Sequence, residues 1–127
     1  MFKPLFAIVI GSVAGGVLRW GLSVKLNTLF GNMPPGTLAA NLIAAYIIGF
    51  AAGFFPFAPG IAPEWRVFIM SGFCGGLSTF STFSVEVVAL LQRGETVWAM
   101  TEICVHVAGS LMMTVAGIAS AAWLRPG

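Results

Sequence analysis

The chain has 127 residues, 58% of them hydrophobic and only 8% charged, with a formal net charge of +2. A soluble domain carries roughly 25% charged residues, so this composition excludes a water-facing globule and implies a single integral membrane domain over residues 1–127. The few basic residues are scattered, which excludes the clustered basic face of a nucleic-acid binder. The absence of a nucleophile–base grouping, phosphate loop or metal-ligand spacing argues against an enzyme.

Prolines and tryptophans delimit the spans. Pro4, Pro34, Pro35, Pro56, Pro59, Pro63 and Pro126 fall outside the long apolar runs and mark connections, because proline breaks a helix interior. Trp20, Trp65, Trp98 and Trp123 sit near run ends, where indole favours the headgroup level. The implied helices are Leu5–Val24, Thr37–Phe57, Trp65–Leu91 and Val97–Leu124. Each meets the ~20 residues needed to cross ~30 Å of hydrocarbon. Short connections make sequential helices antiparallel neighbours. The expected class is therefore all-α, with four transmembrane helices.

The first span begins like a signal peptide, with Lys3 ahead of an apolar run and Ser12-Val13-Ala14 as a weak cleavage site. The run continues to Leu22, so a retained helix is expected. Gly11 and Gly15 are four apart, a spacing that lets backbones approach in lipid. Arg19 either snorkels to the interface or attracts anions at a pore mouth.

The second span repeats the small-residue spacing at Gly49 and Gly53 and carries Thr37 and Asn41 on one face. Asn41 offers two N–H donors and one acceptor. It serves either as interhelical glue or as a donor to something passing.

The third span breaks in its middle, at Gly72-Phe73-Cys74-Gly75-Gly76-Leu77-Ser78-Thr79-Phe80-Ser81-Thr82-Phe83-Ser84. Lipid cannot hydrogen-bond a loosened backbone, so such a break survives only where protein, an ion or trapped water satisfies it. It is a candidate binding or conduction site. Carbonyls near Gly75 to Ser78 can coordinate a small cation, and the N–H groups near Thr79 present positive potential. Phe80 and Phe83, three apart, share a helix face, with Ser81, Thr82 and Ser84 on others. A phenyl ring has a positive edge, so two rings turned edge-on can touch an anion and not a cation; the ordinary alternative is core packing. Glu86 is placed to contact a buried cation or hydroxyl.

On the fourth span, His106, Ser110 and Thr114 form a stripe at four-residue steps. The stripe either lines a watery path or packs against another helix, its hydroxyls bonded to carbonyls four residues back. Taken alone, His106 reads as a buried, satisfied histidine. Glu102, near the start of the span, is expected to reach the interface. Cys74 and Cys104 read as small buried hydrophobes.

Four spans place Lys3, Arg66 and Arg125 on one side, against Lys25, Arg93 and, if juxtamembrane, Arg19 on the other. Orientation follows the Lys/Arg bias of short loops, and here there is almost none. The balance permits insertion in both orientations and pairing of two opposed copies. The alternative is a single topology with weak signals.

The chain resembles the Fluc (CrcB-type) fluoride channels over essentially its whole length. The resemblance rests on Gly-Gly-Leu-Ser-Thr-Phe-Ser-Thr-Phe-Ser at 75–84, Pro-Pro-Gly-Thr-Leu followed by Asn41, Leu-Arg-Trp at 18–20, and His-Val-Ala-Gly-Ser at 106–110. It implies an antiparallel, dual-topology homodimer in the cell inner (plasma) membrane. Two pores, lined by both subunits, would pass fluoride passively and protect the cell from its toxicity. By resemblance, the pore residues are Asn41, Phe80, Phe83, Ser81, Thr82, Ser110, Thr37 and Arg19. A structural sodium ion at the dimer interface would sit on the backbone carbonyls of Gly75 and Ser78. Glu102 departs from the family pattern.

Two rival readings remain at the level of sequence. A small drug/proton antiporter shares the size and charge balance but needs a carboxylate in its first span, where this chain has Arg19. A non-transporting scaffold would use Asn41 and the hydroxyls for packing alone.

Overall fold

The computed structural model describes residues 2–28 and 33–125. Among these, four apolar helical segments are long enough to cross a membrane: Phe2–Leu26, Pro35–Phe57, Pro63–Gln92 and Thr96–Leu124. Helix α1 is Phe2–Leu26. Helix α2, Pro35–Phe54, ends in a 3₁₀ turn at Phe55–Phe57. The third span starts as α3 (Pro63–Arg66), widens into a π-helical stretch at Val67–Cys74 and closes with α4 (Gly75–Leu77). After Ser78 and Thr79 it resumes as α5 (Phe80–Gln92), and α6 is Thr96–Leu124.

The spans match the sequence expectation, but several prolines lie inside them. Pro4 is in the first turn of α1, Pro35 and Pro63 open α2 and α3, and Pro56 sits in the 3₁₀ turn. The N–H groups of a first turn have no intrahelical partner, so proline costs little there. Pro34 and Pro59 remain in connections, and Pro126 lies outside the described residues. Helix α5 stops at Gly94, whose φ of 77° suits glycine. Glu95 N–H donates to Leu90 O at 2.9 Å and Gly94 N–H to Leu91 O at 3.0 Å. These bonds satisfy carbonyls that the helix end would otherwise leave open.

Small residues set the packing. A Cβ on Gly11 would meet Phe68 O at 2.5 Å, and one on Gly15 would collide with Phe73 O, so α1 lies directly on the backbone of the π-helical stretch. Gly49 of α2 lies against Thr114 O, and Gly117 of α6 against Tyr46 O, a reciprocal fit of the α2–α6 pair. Helix α2 is the inner element, burying Gly36, Thr37, Ala40, Ala44, Ala45, Gly49, Ala51 and Gly53. Leu77 packs on Ala40 and Ala44, while Phe83, Val87 and Leu90 of α5 pack on Ala99 of α6.

Phe2, Phe6, Val9, Val13 and Val17 of α1 and Leu111, Met112 and Val115 of α6 point outward, as an apolar solvent requires. The four tryptophans are exposed. Cys74 is buried as expected, but Cys104 is exposed, because its face of α6 turns away from the other helices.

Candidate functional site

The break is built from two extended residues, Ser78 (φ −75°, ψ 152°) and Thr79 (φ −149°, ψ 111°). Thr79 caps α5: its Oγ1 accepts from Thr82 N–H at 3.2 Å. Asn41, on the neighbouring α2, grips the same residue from the side. Its Oδ1 accepts Thr79 N–H at 2.7 Å, and its Nδ2 donates to Thr79 O at 3.2 Å. Nδ2 also lies 3.2 Å from His106 Nδ1. One amide hydrogen is thus directed at Thr79 O, and the amide nitrogen also faces the His106 ring.

This capture frees two carbonyls. In an unbroken helix Gly75 O would receive Thr79 N–H and Ser78 O would receive Thr82 N–H. Here the first donor goes to Asn41 and the second to Thr79 Oγ1. Gly75 and Ser78 are both exposed on this chain, so their carbonyls suit an oxygen-seeking monovalent cation. Between them, Gly76 O receives Arg19 Nε–H at 3.2 Å. Arg19 therefore turns towards the end of α4, where its charge complements the negative helix terminus.

An open groove of about 460 Å³ runs along the break. It brings together Asn41, Gly75, Ser78, Phe80, Phe83 and Ser110, and adds Thr79, His106 and Thr114. The two phenylalanine rings touch, with centroids 5.5 Å apart and planes tilted by 57°. Their environments differ: Phe83 is 7% exposed and packs against His106, with ring centroids 4.6 Å apart and planes tilted by 35°, whereas Phe80 is 77% exposed. Thr114 Oγ1 reaches Ser110 O at 2.9 Å and Ala45 O at 3.3 Å, so the polar stripe of α6 both faces α2 and borders the groove.

Four of the sequence-nominated residues lie off the groove lining. Ser81 is exposed beside Thr79, their hydroxyls 3.4 Å apart, and Thr82 is half-buried in the first turn of α5. Arg19 is occupied at Gly76. Thr37 is buried and donates to Glu86 Oε2 at 2.6 Å, which supplies the hydroxyl contact anticipated for Glu86. Glu102 is a correction. Rather than reaching the interface it is fully buried, with Oε2 3.7 Å from His106 Nε2 one turn further along α6. Its helix face, not its distance from the helix end, decides where it goes.

Sequence reasoning missed the role of Thr79, though a threonine directly before a helix is a cap signal. It also missed the Asn41–His106 contact, which no local pattern announces.

A family model described as CrcB-like protein, Camphor Resistance (CrcB), matches residues 6–118. The chain belongs to the CrcB/FluC fluoride channel family. Several curated CrcB/FluC relatives carry the name fluoride-specific ion channel FluC. One from Nitrosomonas europaea is 62% identical over 125 residues, 98% of each chain. One from Pseudomonas aeruginosa is 56% identical, again over 98% of each. One from Escherichia coli is 56% identical over 92% of this chain and 93% of its own. As a CrcB/FluC family member with four membrane-length helices, the protein is a multi-pass membrane transport protein and not an enzyme.

Proposed function

We propose that the chain conducts fluoride passively across the cell inner membrane, exporting it and protecting the cell from its toxicity. The observation that carries this reading is the groove at the helix break, where Asn41, Phe80, Phe83 and Ser110 converge, in a chain whose relatives are named fluoride-specific ion channels. Fluoride is small and tightly hydrated, so a pore must replace its water with several weak donors. Phenyl edges, hydroxyls of Ser81, Thr82 and Ser110, and the Asn41 amide fit that need, with Thr37 set further back. A conducting site must attract an ion and still release it. Fluoride would compete with Thr79 O and His106 Nδ1 for the Asn41 hydrogens, which keeps the attraction shallow. Arg19 would raise the local anion concentration without standing in the path.

The active unit in this reading is an antiparallel, dual-topology homodimer with two pores. Its support is the near balance of Lys and Arg between the connections, the open groove, and the Phe80 ring left exposed beside it. A second copy would cover both. The released carbonyls of Gly75 and Ser78 from each copy would hold a structural sodium ion, which supplies positive charge that stabilises four inward-facing oxygens.

The deciding experiment is fluoride efflux from liposomes holding only this chain, with chloride as control. Fluoride release without chloride release is expected. Flux that depends on an imposed proton gradient would favour an antiporter instead, but neither Glu86 nor Glu102 lines the groove.

A further inference from the structure

We propose that His106 is a positioning residue for the helix break, acting as a neutral imidazole that carries its hydrogen on Nε2 and orients the Asn41 clamp through Nδ1. The inference rests on the pore reading above only for its consequence, not for its geometry.

The hydrogen positions follow from one fixed point. Thr79 N–H is a donor and lies 2.7 Å from the Asn41 side chain, so the atom facing it is Oδ1. The other amide atom is then Nδ2, whose two hydrogens point at Thr79 O and His106 Nδ1, each at 3.2 Å. Nδ1 must accept, and in a neutral imidazole the hydrogen then sits on Nε2. The far side of the ring agrees. Glu102 Oε2 lies 3.7 Å from Nε2, so a hydrogen on Nε2 faces a carboxyl oxygen, a group able to accept.

The alternative is a metal site. Ligand atoms of Glu86, Glu102 and His106 lie within 4.8 Å of one another, and Glu86 Oε1, both Glu102 oxygens and His106 Nε2 are buried without hydrogen-bond partners. Ligation through Nε2 requires the hydrogen on Nδ1, where it would point at the Asn41 hydrogens. Turning the amide over to relieve that clash would set Nδ2 against Thr79 N–H. The clamp on the break and a metal at Nε2 are therefore incompatible, and the side-chain hydrogen bonds favour the clamp. His106 thus reaches the pore through Asn41, and through the tilted Phe83 ring packed against it, centroids 4.6 Å apart.

The chain has a single histidine, so nitrogen NMR of the full-length protein in lipid, labelled at histidine, reads one ring. A bare Nδ1 and a protonated Nε2 are expected. Asn41→Asp replaces the donor by an acceptor and should move the hydrogen to Nδ1. A wild-type ring protonated at Nδ1, or one indifferent to Asn41→Asp, would overturn the proposal. Fluoride efflux supplies the second arm. His106→Phe keeps a ring against Phe83 and removes the acceptor, and should slow efflux about tenfold; His106→Asn, whose side-chain oxygen stands where Nδ1 stood, should recover most of it. Wild-type flux in His106→Phe, or no recovery in His106→Asn, would reduce His106 to a space-filler. Should the wild-type chain pass no fluoride at all, the channel reading falls while the NMR arm still decides the hydrogen position.

Discussion

Asn41 and Thr79 are joined as one peptide group is joined to another in a sheet. The amide of Asn41 presents an acceptor to Thr79 N–H at 2.7 Å and a donor to Thr79 O at 3.2 Å. A side chain from α2 thereby satisfies both backbone groups of Thr79, and only the Gly75 and Ser78 carbonyls of the break are left open.

Asn41→Ala should therefore weaken the fold as well as the flux. Two backbone groups of Thr79 would lose their partner, and an unsatisfied buried group costs about 1–3 kcal/mol. A lowered melting temperature in detergent together with slowed fluoride efflux is the expected result. An Ala variant with wild-type stability would mean that water replaces the amide freely.

Thr79→Ala removes the acceptor for Thr82 N–H. Loss of a helix cap costs about 1 kcal/mol, and Thr79→Ser should restore most of it. Equilibrium unfolding of the three proteins checks the order: wild type and Ser close together, Ala below.

Phe80 and Phe83 separate packing from transport. Phe80 is 77% exposed, and substitutions at exposed sites usually change stability by about 0.5 kcal/mol or less. Phe80→Ile should suppress fluoride efflux and lower the melting temperature less than Phe83→Ile does. Phe83→Ile should suppress efflux and also destabilise, because its ring packs on His106 and the α5–α6 core. Normal efflux in both variants would remove the rings from the mechanism.

Gly15 and Gly16 are neighbours in sequence and opposites in surroundings. A Cβ at Gly15 collides with Phe73 O, while one at Gly16 meets nothing within 4 Å. Gly15→Ala should push α1 off the third span and lower stability by about 1–3 kcal/mol. Gly16→Ala should be neutral or slightly stabilising, since alanine favours the helix by roughly 0.5–1 kcal/mol. Melting curves of the pair suffice to test this.

Much of this architecture is legible in the sequence because the membrane leaves few choices. Span length, proline placement and the Gly75-Gly76 to Ser84 run located the four helices and the break, since hydrocarbon thickness and backbone satisfaction act on local sequence. The π-helical stretch at Val67–Cys74 was not legible: its residues are ordinary apolar ones, and its width is bound up with close contact to Gly11 and Gly15 of α1. Glu102 was misplaced because depth along a helix can be read from the chain and azimuth cannot; the face it occupies is set by α2 and α5. The Asn41–His106 contact spans 65 positions and depends on helices meeting that no periodicity identifies as partners.

The order of these residues along the chain has a consequence for biogenesis. The amide that satisfies Thr79 lies 38 positions earlier, on a span that leaves the ribosome first. In the order of synthesis, the partner of the loosened segment is made before it. His106 is made later still. A rearrangement of the gene that moved the second helix behind the third would keep every contact possible and reverse that order, so slower assembly of such a permutant is the expected result.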